Sequence, residues 1–355
     1  MKKKLHIILS AALCAVMLLS LTACGGTTTP DTPAPPSENT PAGTPDKVYE
    51  WDMLVENSLT HPSSILAQEF ATLLEERSEG RIKITVRAPG ELPYTAADYL
   101  TAVGDNSAAL GDVNSMSFGS LPHASISLLP FLMNSLEDFY TVMDITGSAV
   151  EEELESYGCH NLWYFPWPPQ SFWSASKPLS SLKDIQGMKI RTSNVELSNL
   201  VQTLGGIPVT LAGAEVPSGL STGVVDGVIT AAYGLGGAGW YDTLNYGYIT
   251  NMQIIPSYMC ISKAEYDALP TDLQELVDAC GDEFEKYACE TMFNQEQEWR
   301  DTLISEHNFT INTISDAELA EMAAMMNDYW TTWAEEKGGQ CPALLQEIIT
   351  ALDLG

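Results

Sequence analysis

The chain has 355 residues, with 16 Lys and Arg against 47 Asp and Glu, for a formal net charge of -31. Nucleic-acid affinity draws on Lys and Arg facing phosphates, so this balance excludes a nucleic-acid binder. With 45% apolar and 18% charged residues the bulk of the chain can build a packed core and is not intrinsically disordered, and its length allows about two domains of roughly 100–200 residues each.

The N-terminus predicts export. Lys2, Lys3 and Lys4 precede an apolar run from Leu5 to Leu21, broken only by His6, Ser10 and Ser20. A charged start followed by an apolar stretch is the build of a secretory signal, expected over residues 1–23. Leu21-Thr22-Ala23-Cys24-Gly25 resembles a bacterial lipobox, which makes Cys24 the expected lipidated first residue and ties the chain to a membrane surface. Cleavage there removes three lysines and no acid, leaving the rest more acidic still. Residues 24–47 are a tether: Thr, Pro, Ser, Gly and Ala dominate Gly25 to Asp46, which has no aromatic side chain to bury.

From Trp51 onward the pattern alternates between helical and strand periods. A helix over Ser63–Ser78 carries Ile65, Leu66, Phe70, Leu73 and Leu74 on one face, and Gly80 stops it before a strand over Arg81–Arg87. Next come a helix over Thr95–Val103, a strand over Leu110–Ser117, an apolar turn at Leu128–Phe131 and a helix over Leu136–Tyr157. Strands are expected at Asn161–Phe165, Met188–Thr192, Val224–Thr230 and Met252–Ile261, with a helix at Val195–Leu204. Thr271–Glu306 is an acidic amphipathic stretch too long for an ordinary core helix and suited to running across two lobes, followed by covering helices at Ser315–Trp333 and Ala343–Leu352. The fold class is α/β with mixed or parallel sheets, and a structured body of about 305 residues is expected to be two-lobed. Lobe I is expected over 48–168 plus about 257–296, and lobe II over 169–256 plus about 297–355.

Catalytic and metal signatures are weak. There is no HExxH, no GxxxxGK[ST] and no CxxC pair; no cofactor and no metal are expected. The cluster Gly234, Gly236, Gly237 and Gly239 runs into Trp240-Tyr241 rather than the small-residue helix of a dinucleotide site. His61, His123, His160 and His307 are scattered, and Cys159, Cys260, Cys280, Cys289 and Cys341 read mostly as small buried side chains.

Three segments carry a family resemblance: Ser176-Lys-Pro-Leu-Ser-Ser-Leu-Lys-Asp-Ile-Gln-Gly-Met-Lys-Ile-Arg191-Thr, then Leu204-Gly-Gly-Ile-Pro-Val-Thr, then Ala214-Glu-Val-Pro-Ser-Gly-Leu-Ser-Thr-Gly-Val-Val-Asp226-Gly. With His61-Pro62, Ser78-Glu-Gly-Arg-Ile, Gly90-Glu-Leu92, Leu129-Pro-Phe-Leu and Tyr266-Asp-Ala-Leu-Pro, they make Tyr49 to about Asn308 resemble the extracytoplasmic solute-binding proteins of tripartite ATP-independent periplasmic (TRAP) transporters, the DctP-like family. The resemblance implies a two-lobed periplasmic-binding-protein-like fold and an organic-acid receptor that closes around its ligand and docks on membrane subunits. It also implies that Arg191 binds the ligand carboxylate, a role that suits a guanidinium's two parallel donors. A second basic position of some family members falls at Ser171, a polar one near Thr230 and an aromatic one at Gly213, which points to a monocarboxylate with an uncharged body. Trp163, Tyr164, Phe165, Trp167, Phe172 and Trp173, with Tyr233, Trp240 and Tyr241, supply aromatic walls or core; Trp173, Tyr233 and Trp240 are the expected ligand contacts, and Glu56 and Asn57 complete the set. A surface hydrolase and an adhesin without small-molecule ligand are the competing classes.

Overall fold

A computed structural model describes residues 47–354; the expected signal, Cys24 and the tether up to Asp46 lie outside them. The strands are β1 (Tyr49–Leu54), β2 (Ile82–Arg87), β3 (Leu110–Val113), β4 (Cys159–Trp167), β5 (Ser171–Ser174), β6 (Lys189–Thr192), β7 (Ile207–Thr210), β8 (Gly227–Thr230), β9 (Tyr246–Ile249), β10 (Ile255–Ser262) and β11 (Thr310–Thr313). They form two sheets, in the orders β2-β1-β3-β10-β4 and β11-β9-β5-β8-β6-β7.

The first sheet starts where Tyr49, Trp51 and Met53 turn inward at the two-residue period of a pleated strand. Parallel pairing of β1 with β2, from Tyr49 opposite Ile82 to Leu54 opposite Arg87, requires a crossover. The helix Pro62–Arg77 supplies it, with Pro62 in its first turn and the His61 ring accepting the Ser63 N–H at 3.2 Å as N-cap. Leu66, Phe70 and Leu74 bury its inner face. β10 returns antiparallel between β3 and β4, so the sheet closes only after the chain has visited the second lobe.

Three segments pass between the sheets: 168–170, 250–254, and the helix Thr271–Ser305 leading to β11. The first two are tied together, Gln170 N–H donating to the Gln253 carbonyl at 2.8 Å and Met252 N–H to the Gln170 carbonyl at 2.9 Å. The third is a single 35-residue helix, about 52 Å long at 1.5 Å per residue. It packs on β4 of the first lobe and on the short helix Ala232–Gly237 of the second. That second contact explains the glycine cluster: a Cβ on Gly236 would lie 2.0 Å from the Trp299 ring of the long helix, and one on Gly237 would lie 2.5 Å from Pro62.

The long helix, the other expected helices and the strands at 81–87, 161–165, 188–192 and 252–261 stand close to their expected positions. Five strands went unanticipated, β1, β5, β7, β9 and β11; four of them have only four residues, too few for alternation to register. The strand expected over Leu110–Ser117 ends at Val113, because the Asn114 side chain accepts the Met116 N–H at 3.0 Å and turns the chain. The C-terminal helices, expected with lobe II, touch both lobes. Cys341–Ala351 packs on Leu136–Ser156, and the Trp330 indole donates to the Pro130 carbonyl at 3.0 Å, while Trp333 and Tyr329 donate to the buried Glu196 carboxylate. The five described cysteines are buried and unpaired.

The first lobe's core centres on Phe70, whose ring centroid lies 5.4 Å from Trp163 and 5.3 Å from Phe284 of the long helix. Phe70→Ala is expected to lower the unfolding free energy by about 3–5 kcal/mol. Urea titration checks this, with a lower midpoint at unchanged slope as the expected result.

Candidate functional site

The carboxyl ends of β1, β3, β6 and β8 converge where the two lobes meet, the usual place for ligands on open α/β sheets. They enclose a cavity of about 50 Å³. From the first lobe come Glu56 and Asn57 after β1, His61 at the helix cap, Asn114 and Ser115 after β3, Trp167 and Gln170 at the hinge, and Ile255 of β10. From the second come Arg191 of β6, Ser193, Gly213, Thr230 of β8, Gly234, Ala238 and Trp240. Gly213 marks how closely the lobes approach: a Cβ there would lie 3.1 Å from Asn57 Oδ1 and 3.4 Å from Glu56 Oε1.

Arg191 is the cavity's fixed positive charge, only 5% exposed. Its Nε donates to the Leu211 carbonyl at 2.9 Å and its Nη1 to the Ile229 carbonyl at 3.4 Å. The guanidinium also sits 5.8 Å from the Trp240 ring centroid, within cation–π range. Nη2 has no hydrogen-bond partner, and no carboxylate makes a salt bridge with Arg191 among the described residues. Burial lowers this group's pKa to about 10; Glu56 and Glu215 act the other way from a distance. The site therefore holds a desolvated cation with donors to spare and no contacting counter-ion.

Glu56 Oε2 accepts the Asn114 amide at 2.8 Å. Burial raises the Glu56 carboxyl above its ordinary range, and Arg191 opposes that rise. Behind it, Asp112 is pushed up to about 8 by burial and then by Glu56, with a Ser257 hydrogen bond acting against both. Burial pulls His61 down to about 4, so its ring is neutral near pH 7, and a backbone hydrogen bond with Gly234 opposes the shift. Glu56 also walls a larger, mainly apolar recess of about 520 Å³ between Pro89–Tyr99 and Ala212–Glu215.

Of the expected contacts, Arg191, Thr230, Trp240, Gly213, Glu56 and Asn57 line the cavity, whereas Ser171, Trp173 and Tyr233 do not. Ser171 is fully buried, its hydroxyl accepting the Thr250 and Asn251 N–H groups at 3.2 and 3.3 Å. Trp173 belongs to the second lobe's core, donating to the Thr230 carbonyl at 2.8 Å. Tyr233 is buried edge-on to His61, and its N–H is held by Glu296 of the long helix at 2.9 Å. Within the aromatic run only Trp167 reaches the cavity; Trp163, Phe165 and Phe172 fill cores. His61, Asn114, Ser115, Gln170, Ser193, Gly234, Ala238 and Ile255 were not anticipated as contacts. Position just beyond a strand end is the signal that could have found Asn114, Ser115 and Ser193.

Gly219-Leu-Ser221-Thr-Gly223 matches the spacing of a hydrolase nucleophile motif. Its geometry does not: Ser221 is exposed at the end of the helix Val216–Ser221 and donates to the Ser218 carbonyl at 3.1 Å, whereas such a nucleophile sits on a strand-to-helix turn. Among the described residues no group of three His, Cys, Asp or Glu is placed to hold a metal ion, and no helix is long and apolar enough to cross a membrane.

Two substitutions probe this geometry. Gly213→Val places methyl groups against Asn57 and Glu56 and is expected to weaken ligand binding at least about tenfold by keeping the lobes apart, a loss of roughly 1.4 kcal/mol, with thermal stability nearly unchanged. Calorimetry and small-angle scattering read the two effects. For Asp112, a pKa raised from 3.8 to about 8 makes its share of stability complete below pH 4 and lost as pH climbs to about 8. Asp112→Asn is expected to flatten the fall of unfolding free energy between pH 4 and 8.

Comparison with known proteins agrees with the geometry. The family model described as "Bacterial extracellular solute-binding protein, family 7", DctP, matches residues 55–337. A solute-binding protein of Chromohalobacter salexigens is 26% identical over 235 residues, 63% of this chain and 67% of its own. The 2,3-diketo-L-gulonate-binding periplasmic protein of Escherichia coli is 24% identical over 65% of this chain and 71% of its own. Among solved structures, an extracytoplasmic solute receptor of Bordetella pertussis binding pyroglutamic acid superposes with a TM-score of 0.80 at 23% identity, covering 85% of this chain and 99% of that one. A Chromohalobacter salexigens TRAP solute-binding protein with bound D-glucuronate gives 0.77 at 22% identity, with the same coverage. The chain belongs to the DctP family of bacterial extracellular solute-binding proteins, a family of binding proteins rather than enzymes.

Proposed function

We propose that this receptor captures a compact organic monocarboxylate through Arg191 and delivers it to the membrane subunits of a TRAP transporter. The observation that carries the reading is the buried guanidinium, which lines the interlobe cavity with Nη2 unused and no salt bridge of its own. A carboxylate accepting two parallel N–H bonds contributes about 1.5–3 kcal/mol per charge-assisted bond and offsets the desolvation of the cation. Among the described residues Arg191 is the only Lys or Arg lining the cavity, so one carboxylate finds a cationic partner there and a second one does not, which favours a monoanion over a four-carbon dicarboxylate. Three structural neighbours bind pyroglutamate, and others hold glucuronate, galacturonate or galactonate, all carboxylates. Trp167 and Trp240 offer flat apolar walls on either lobe. Closure follows only if the ligand binds the shut form better, which contacts from both lobes provide. Lipidation at Cys24 would hold the receptor at the membrane, with the tether giving it reach.

Thermal shift with a panel of carboxylates tests the clamp. A bound acid at a hundredfold excess over its Kd is expected to stabilise wild type by about 2.7 kcal/mol. Arg191→Met is expected to abolish the shift while leaving the unliganded midpoint equal or higher, because it removes a buried charge without a counter-ion. A shift that survives Arg191→Met contradicts the reading. Cys24→Ser is expected to move the protein from the detergent phase to the aqueous phase in a partition assay.

A further inference from the structure

We infer that Gln253, which lies behind the cavity wall and does not line the cavity, is a positioning residue: its side chain ties the chain segment leaving Arg191 to the first lobe, and the grip on the ligand depends on that tie. The inference rests on the Arg191 reading and adds to it a residue that touches no ligand.

Gln253 is 1% exposed and stands in the hinge segment 250–254. Its Oε1 accepts the Asn194 amide at 3.0 Å, and its Nε2 donates to the Leu128 carbonyl. Asn194 belongs to the second lobe, three residues beyond Arg191 and next to Ser193 of the cavity wall, and it caps the helix Val195–Thr203. Leu128 belongs to the first lobe and leads into the Leu129-Pro-Phe-Leu run. One side chain is thus bonded to both lobes. Gln170, another wall residue, donates its N–H to the Gln253 carbonyl at 2.8 Å.

The direction of this chain of bonds is fixed at the Asn194 end. Asn194 Oδ1 is taken by the Leu197 N–H at 2.9 Å, the helix-capping bond, so what Asn194 has left to offer is its amide N–H. Gln253 must therefore turn its oxygen to Asn194, which leaves its own N–H for a carbonyl, and Leu128 supplies one. All three residues are buried, so a reversed or missing link strands polar groups away from water.

The backbone around Gln253 is held as firmly. Phe131 N–H donates to the Met252 carbonyl at 2.6 Å, and Arg300 of the long helix holds Asn251 Oδ1 at 2.8 Å. Phe131 and Asn251 have φ of +62° and +46°, in the left-handed region that residues with a side chain seldom adopt. Such conformations persist where the surroundings over-determine them, and they gather at ligand clamps and switch regions. Arg191 meets a ligand shared with the first lobe only when the second lobe lies in the arrangement seen here, with Gly213 against Asn57 and Glu56. Bonds that favour this arrangement raise the competent fraction and with it the apparent affinity.

Two variants break the tie from opposite ends. Asn194→Asp keeps the capping oxygen but puts a second acceptor where the donor was, so Gln253 can no longer satisfy both partners. Gln253→Met keeps length and burial and removes both bonds. A panel of carboxylic acids that includes pyroglutamate and D-glucuronate supplies the probe, with binding rates read by stopped-flow tryptophan fluorescence and closure by small-angle scattering. Each variant is expected to bind about fivefold more weakly or worse, through faster release at a nearly unchanged association rate, with the liganded particle larger than that of wild type. The double variant is expected to be no weaker than the weaker single, because both act through one chain of bonds. Affinities within about twofold of wild type in both folded variants overturn the inference, as do losses that add in full in the double variant. Should Gln253→Met unfold, Asn194→Asp decides alone through its affinity and release rate. Binding abolished by Arg191→Met yet untouched in the hinge variants leaves the carboxylate clamp standing and removes the role of Gln253; if no acid of the panel binds, both fall.

Discussion

A guanidinium removed from water without a counter-ion is an unfavourable thing to build, and the architecture is organised around holding one. Arg191 is kept in place by two carbonyls and the face of Trp240, none of which neutralises it. In a chain with 31 more acids than bases, a carboxylate partner for it would have been easy to supply. Keeping the charge unpaired costs stability in the empty protein, and in the proposed function an incoming anion recovers that cost.

In the proposed function two lobes turn this local imbalance into capture. Arg191 sits in β6 of the second sheet, while Glu56, Asn57 and Asn114 follow the ends of β1 and β3 in the first and His61 caps the helix after β1. The junction is tight because glycines permit it: Gly213 meets Asn57 and Glu56, and Gly237 meets Pro62. The hydrogen-bonded segments 168–170 and 250–254 and the 35-residue helix join the two lobes. Glu296 on that helix caps the short helix at Ala232 and Tyr233, so a wall of the cavity is fastened to the spanning element.

The sequence revealed the long elements and the charge chemistry better than it revealed facing. Thr271–Ser305 is long and amphipathic enough to declare itself, and Arg191 stood out through its motif. Trp173 and Tyr233 misled because a large aromatic has the same apolar signature in a core as in a cleft. The difference is set by strand pairing, here β5 between β8 and β9, which places the Trp173 ring against Gly247 and Phe309. Ser171, at the position where some family members carry a second basic residue, accepts backbone N–H groups at the hinge, and its neighbour Gln170 is the residue that lines the cavity. The glycine cluster at 234–239 resembled a phosphate loop only in letters, since its spacing serves contact with Trp299 and Pro62.

The central claim is that Arg191 is left unpaired for the sake of an external anion. Mass spectrometry of small molecules released on denaturing the protein as purified, from wild type and from Arg191→Met, measures that claim most directly. The account predicts a near-stoichiometric carboxylic acid from wild type and none from the variant. An acid recovered equally from both, or a bound compound with no carboxylate, would contradict it.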